Sequence, residues 1–217
     1  MRIEKPFRDR WRDAMKKWIN RRYGTSRGLV RALLGQLELA TGRLRPFALR
    51  RPDQVRRVVF VCRGNICRSA FAHHEALKYG MNVASLGLAT SSGRACPTAT
   101  IAGAARARVD LSAHRARSWP DFDVCSGDLF LATEVRQAHE LRRLLGTRDD
   151  VQVCLLGMWC TPAMPHLHDP YTLSDAYLDR CFARVSQAIR KLSTELSDVR
   201  TPAGRGAGRG YGGRKAA

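Results

Sequence analysis

The sequence predicts an α/β fold, a three-layer sandwich with a central parallel sheet and helices on both faces. Three observations predict it. From residue 56 onward, short β-branched runs alternate with helix-periodic segments, the pattern of right-handed βαβ crossovers. Each run is short and bounded by loop residues, as strands of a sheet covered on both sides are. The first run, RRVVFVC (56–62), opens through a glycine-containing loop directly into a helix.

The elements follow in order. In residues 7–19, Phe7, Trp11, Met15, Trp18 and Ile19 recur at helical spacing among Arg and Lys, which predicts a basic amphipathic helix. After Ser26, the residues Leu29, Val30, Leu33, Leu34, Leu37 and Leu39 mark a second helix that ends before Pro46 and Pro52. Residues 1–53 therefore read as a basic, mainly helical extension. Its apolar stripes have three fates open to them: packing on the domain, lying on a membrane, or binding a partner or acidic polymer. A single domain over 54–199 follows. Its strands are expected at 56–62, Asn82–Ala84, Leu129–Ala132 and Val151–Leu155, and its helices at Ser69–Tyr79, Thr98–Arg108, Val135–Leu145 and Leu173–Leu192. Residues 200–217 are too rich in Gly and Arg to bury a core and are expected to be a disordered tail.

Charge and cysteine usage narrow the context. The net charge is +19, and the ends carry most of it: residues 1–53 hold 15 Lys and Arg against 5 Asp and Glu. Basic arms attract acidic partners such as anionic lipid or acidic protein tails. The RG repeats of the tail resemble RNA-contacting segments in composition, but three short repeats are a weak pattern and a nucleic-acid partner is not expected. No apolar run reaches the roughly 20 residues of a membrane span, and the charged N-terminus lacks the apolar stretch of a secretory signal. Seven cysteines, at 62, 67, 96, 125, 154, 160 and 181, include no CxxC pair. They read as reduced cytosolic thiols, neither a disulfide framework nor a zinc ribbon.

The loop after the first strand carries the chemistry. Cys62 and Arg68 stand six positions apart across Arg63-Gly64-Asn65-Ile66-Cys67, between strand and helix. A loop entering a helix N-terminus points several backbone N–H groups inward and, with the helix dipole, cradles an anion such as phosphate. Gly64 permits close approach or a positive φ, and Asn65 tolerates the left-handed region. The same positive surroundings favour the thiolate of Cys62. Arg68 can grip two phosphoryl oxygens with its planar fork, and Ser69 can donate a hydrogen bond to the sulfur.

The string VCRGNICRS closely resembles the signature of the low-molecular-weight protein tyrosine phosphatases. Over residues 56–193, SLGLATSSG (85–93), VDLSAHRAR (109–117), FLATE (130–134), LLGMW (155–159) and HDPYTLSDAY (168–177) follow the family's order and spacing. The resemblance is to the branch of bacterial exopolysaccharide systems, which implies a phosphotyrosine protein as substrate, such as a membrane tyrosine kinase with a tyrosine-rich or acidic tail. It implies Cys62 as nucleophile, Asp169 as general acid and Tyr171 as one wall of the substrate slot. Asn65, Ser69, Ser85 and His114 match the network that supports the loop. It implies no cofactor and a cytoplasmic enzyme, with the N-terminal extension available for contact with the inner membrane face. Cys67, in the same loop, is a candidate redox partner of Cys62, against the plainer reading of a small packed side chain.

Departures from the family are visible. Arg63 stands where relatives carry an apolar residue, Ala70 where Pro is usual, and His73 where an acid is common; the SSG stretch lacks the second hydrophobic wall. Together they imply an open, basic slot suited to an acidic phosphopeptide. Three competing activities share parts of this pattern. A thiol-dependent arsenate reductase needs resolving cysteines in reach, a phosphoarginine phosphatase is expected to carry Thr in place of Ile66, and a non-catalytic phosphate or acidic-polymer binder does not need Asp169. His166 and His168 read as a polar approach to the acid segment, not as metal ligands.

Overall fold

The structure, a computed structural model, describes residues 7–200. The expected Gly/Arg-rich tail beyond Arg200 and residues 1–6 lie outside the described residues. Four strands, β1 (Arg57–Cys62), β2 (Val83–Gly87), β3 (Asp128–Ala132) and β4 (Gln152–Leu155), pair in parallel in the order β2-β1-β3-β4. The helices are α1 (Phe7–Tyr23), α2 (Ser26–Ala40), α3 (Arg68–Leu77), α4 (Thr98–Arg106), α5 (Val135–Leu145) and α6 (Asp175–Glu195). Among the described residues no helix is long and apolar enough to cross a membrane.

Strand period creates the three layers. Successive side chains of a strand point to opposite faces, so Val58 and Phe60 of β1, with Leu129 and Leu131 of β3, join the core under α3 and α6. Their neighbours Val59 and Val61, with Phe130 and Ala132, join the core under α5. Both sets are buried, which is why these runs are apolar throughout instead of alternating. Phe71 of α3 stacks on Phe182 of α6 at 4.0 Å between ring centroids, fixing these helices to each other. Burying one such ring is worth roughly 1.5–3 kcal/mol.

Several boundaries differ from expectation by a residue or more, and two of them have a clear reason. The strand expected at 82–84 runs on to Gly87, because Ser85, Leu86 and Gly87 face Phe60, Val61 and Cys62 in register and the ladder overrides their weak strand preference. Helix α6 starts at Asp175, two residues later than the apolar pattern indicates, where Ser174 caps the Tyr177 amide.

The N-terminal hairpin packs by the face with the smallest side chains. Helix α2 buries Gly28, Ala32 and Gly35 and leaves Val30, Leu33, Leu34 and Leu37 exposed; Trp11, Met15 and Trp18 of α1 are exposed as well. Packing on the domain and an outward apolar stripe thus coexist. Missing Cβ atoms let the α2 backbone approach its neighbour closely.

Strand order reverses at β1, with β2 on one side and β3 and β4 on the other. The connections leaving β1 and β3 therefore run to opposite faces and open a crevice at the carboxyl end of β1. Residues 63–67 occupy it.

Candidate active site

The loop from β1 to α3 curls around the Cys62 sulfur. Cys62 Sγ lies 3.0 Å from Ser69 Oγ and accepts from the Asn65 amide at 3.3 Å. The left-handed residue is Asn65, at φ 50°, while Gly64 keeps an ordinary φ. Asn65 supports that conformation with every polar atom it has: Nδ2 donates to Ser69 Oγ (2.9 Å) and Ser85 Oγ (3.0 Å), and Oδ1 accepts from the Arg117 amide (2.9 Å). Its carbonyl lies 2.9 Å from His114 Nε2. A carbonyl only accepts, so His114 carries its proton on Nε2, and Nδ1 accepts from His74 Nε2 at 3.2 Å. Burial pushes the His114 pKa down to about 4, partly opposed by the bond to Asn65, which fits a neutral ring.

His73 enters the same network. Its Nδ1 lies 3.2 Å from Ser85 Oγ, which also accepts from Asn65 Nδ2. Burial, and then the neighbouring His74 and His114, push the His73 pKa down to about 3. The acid that sequence comparison leads one to expect here is replaced by a neutral ring. Gly87 completes the support: a Cβ there would lie 2.9 Å from Arg63 O and Asn65 N, so only glycine lets β2 lie against the loop.

Arg68 is buried and held from two sides. Nη1 donates to Glu134 Oε1 (2.5 Å) and to the Leu167 carbonyl (2.8 Å), and Nη2 lies 2.9 Å from Asp169 Oδ2. Burial opposes the guanidinium charge, but Asp169, Cys62 and Glu134 outweigh it and push the pKa up. For Glu134, burial acts upward and the Arg68 charge and hydrogen bond more than offset it, leaving the carboxyl below its usual range. Nε and Nη2 of Arg68 make no hydrogen bond within the described residues although both are buried. A buried cation with unused N–H donors beside an anion-binding loop suits a phosphoryl group.

A cleft of about 130 Å3 joins these groups, lined by Cys62, Arg63, Gly64, Ile66, Cys67, Ala89, Arg94, Asp169 and Tyr171. Cys62 and Asp169 line it, and Arg68 lies behind it in an ion pair with Asp169. Tyr171 stands at the rim and is half exposed. Cys67 is buried in the core beneath, where burial and then Cys181 push its pKa well up. His168 bonds Thr25 Oγ1 of the hairpin at 3.1 Å, and His166 is buried near Glu134 with its pKa pushed down to about 4 by burial. Among the described residues no His/Cys/Asp/Glu group is arranged to hold a metal ion.

Sequence reasoning missed four contributors. Glu134 stood inside the FLATE string, where an acid directly after a buried strand of a parallel sheet was signal enough. Arg94, Gly87 and Thr25 had no local signal, because each acts on a partner far away in the chain.

Cradle, clamp and carboxylate together narrow the chemistry to phosphomonoester cleavage by a cysteine-loop α/β phosphatase. The sequence profile of the low molecular weight phosphotyrosine protein phosphatases matches residues 57–201. The chain belongs to that family and is a protein-tyrosine phosphatase. Similar solved structures agree on the fold. The low molecular weight protein tyrosine phosphatase of T. tengcongensis is 25% identical, with TM-score 0.57, covering 64% of this chain and 99% of its own. The tyrosine phosphatase Wzb of Escherichia coli K30 is 21% identical, with TM-score 0.57 and coverage of 65% and 99%. The arginine phosphatase YwlE of Geobacillus stearothermophilus is 18% identical, with TM-score 0.57 and coverage of 65% and 93%. No curated protein sequence matches the chain.

Proposed function

We propose that this phosphatase hydrolyses phosphotyrosine through a phosphocysteine intermediate on Cys62, acting in the cytoplasm on an acidic phosphoprotein such as a membrane tyrosine kinase tail. The buried Arg68, whose Nε has no hydrogen-bond partner among the described residues and whose Nη2 lies 2.9 Å from Asp169 beside the Cys62 cleft, carries the reading. The phosphoryl group occupies the loop amides and that guanidinium edge, competing there with Asp169. The Cys62 thiolate attacks phosphorus in line; the P–O bond breaks, and Asp169 gives its proton to the leaving phenolate oxygen. Water then loses a proton to the Asp169 carboxylate and attacks phosphorus. The S–P bond breaks, returning the thiolate and inorganic phosphate.

The rim supports an acidic substrate. Arg63 and Arg94 flank the cleft where a hydrophobic second wall was absent from the sequence, so acidic residues beside the phosphotyrosine gain attraction. Against a thiol-relay arsenate reductase, Cys96, Cys154, Cys160 and Cys181 are buried, and burial pushes their pKa values up; among the described cysteines outside the phosphate loop only Cys125 is exposed. Acid quench during turnover of a phosphotyrosine peptide should trap one phosphate on Cys62, and Cys62→Ser should release none. Turnover of phosphoarginine but not phosphotyrosine would assign P–N phosphoramidate hydrolysis instead.

The outer face of the hairpin supports peripheral contact with an anionic membrane. Exposed Trp11, Met15, Trp18, Leu33 and Leu37 are accompanied by Arg8, Arg10, Arg12, Lys16, Lys17, Arg21 and Arg22 against Asp9 and Asp13. An apolar stripe rimmed by cations is the composition of an interfacial helix. The full chain should sediment with phosphatidylserine vesicles and not with phosphatidylcholine vesicles. Equal binding to both, or to neither, overturns this assignment.

A further inference from the structure

We infer that the α1–α2 hairpin is a positioning element for the general acid, a role that rests on the reading of Asp169 as that acid. Asp169 sits in residues 160–174, an irregular stretch between a short 3-10 turn at Leu156–Trp159 and α6. Stretches of that length without secondary structure are mobile unless tied down. The phosphatase domain ties it at several points: Leu167 N donates to Thr133 O (2.9 Å), Met164 N to Gly157 O (2.8 Å) and Thr161 N to Gln187 Oε1 (3.0 Å), and Arg68 reaches the Leu167 carbonyl and the Asp169 carboxylate.

The hairpin adds ties at Ala163 and at the His168 ring. Gln36 Nε2 donates to the Ala163 carbonyl at 2.7 Å. Thr25 does two jobs at once: its Oγ1 caps α2 by accepting from the Gly28 amide (2.9 Å) and bonds His168 Nε2 (3.1 Å), the residue next to Asp169. At Gly28 a Cβ would strike Tyr23 O of the preceding turn and lie 2.8 Å from His168 Cδ2, so the turn and the imidazole both close on this position. Gly24, at φ 81°, lies against Tyr177 and Leu173, and the Tyr177 hydroxyl donates to the His168 carbonyl at 3.1 Å. His168 is therefore gripped at its ring by α2 and at its carbonyl by α6. These contacts fix the backbone that aims Asp169 at the leaving oxygen.

This support is an addition to the shared fold. The family profile begins at residue 57, and the solved relatives align over 93–99% of their own chains but only 64–65% of this one. The general acid is thus braced from outside the catalytic domain by a unit whose opposite face is exposed. Misplacing a catalytic group by about 1 Å can cost on the order of 100-fold.

The test uses the full chain and a series of aryl phosphates from activated to poor leaving groups. Gly28→Ala improves helix propensity by roughly 0.5–1 kcal/mol, so any loss comes from the push on His168 and the preceding turn. It should lower kcat at least about 10-fold for the poorest leaving group and less than about 3-fold for the most activated, steepening the leaving-group dependence. Inhibition by inorganic phosphate, which reads the Cys62–Arg68 cradle, should not change. Gln36→Ala, an exposed change that leaves the helix intact, should act in the same direction at about a third of the size. Asp169→Asn sets the reference slope. A steep Asp169→Asn series with unchanged slopes for both hairpin variants overturns the positioning role and leaves the acid assignment standing. Parallel losses on every substrate, with weakened phosphate inhibition, also overturn it, and a flat Asp169→Asn series removes the acid assignment itself.

Discussion

The Cys62 loop and the Asp169 segment face each other across one cleft and are held in opposite ways. The loop is short and dry, and Asn65 alone ties its backbone to Ser69, Ser85, Arg117 and His114. The acid segment is long and irregular, and beside nearer ties from Thr133, Gly157 and Tyr177 it is held by Thr25, Gln36 and Arg68, each about a hundred positions or more away. An anion cradle has to exist before substrate arrives, because its amides must already point inward. An acid must reach the leaving group only after the phosphoryl group is seated, so its support can lie outside the domain and can be added later in a chain's history.

The sharpest break of this comparison is Arg68→Lys. A lysine cannot replace the guanidinium fork, and kcat should fall at least about 10³-fold with the fold retained; near-wild-type turnover in a phosphotyrosine-peptide assay would show the cradle works without its clamp. Asp169→Asn should be next, costing roughly 10²–10⁴-fold on poor leaving groups and far less on activated phenols. Uniform losses would place the proton donor elsewhere. Glu134→Gln keeps a hydrogen-bonding oxygen but removes the charge that orients Arg68, and should cost about 10-fold in kcat/KM. Steady-state kinetics with phosphate inhibition would separate loss of binding from loss of rate.

A smaller effect is shared by the two regions and is read by pH. His114 supports the loop and His166 lies beside the acid segment, and burial holds both near 4. The unfolded chain takes up these protons near 6.5, the folded chain only near 4. Stability from both is therefore full above about pH 6.5, falls as pH drops toward 4, and changes no further below that. Each contributes on the order of 2 kcal/mol, readable as a fall in urea midpoint across that window; a midpoint that stays flat from pH 7 to 4 would mean neither ring is neutral in the fold.

The smallest effect concerns Cys67. Peroxide should inactivate the wild type, with dithiothreitol restoring activity, whereas Cys67→Ala should lose activity irreversibly. The burial that raises the Cys67 pKa makes it a slow partner, so protection should be only several-fold. Equal recovery of both proteins leaves Cys67 as packing alone.

Much of this protein was determined by sequence alone, and the physical reason is locality. RRVVFVC, the following loop and the helix from Arg68 are contiguous, so their periodicity and spacing state the cradle directly. The sheet was legible because strands buried on both faces read as unbroken apolar runs. What only tertiary structure decided is whatever depends on residues distant in the chain. Nothing near Gly87 announces that a Cβ would strike Arg63 and Asn65, and nothing in FLATE says which cation Glu134 will hold. The same limit hid the hairpin's orientation. Its leucines mark the apolar face, but α2 packs by Gly28, Ala32 and Gly35, because close backbone approach to His166 and His168 depends on the shape of the partner surface. Hydrophobic periodicity reports which face is greasy; only the partner's surface selects which face is covered.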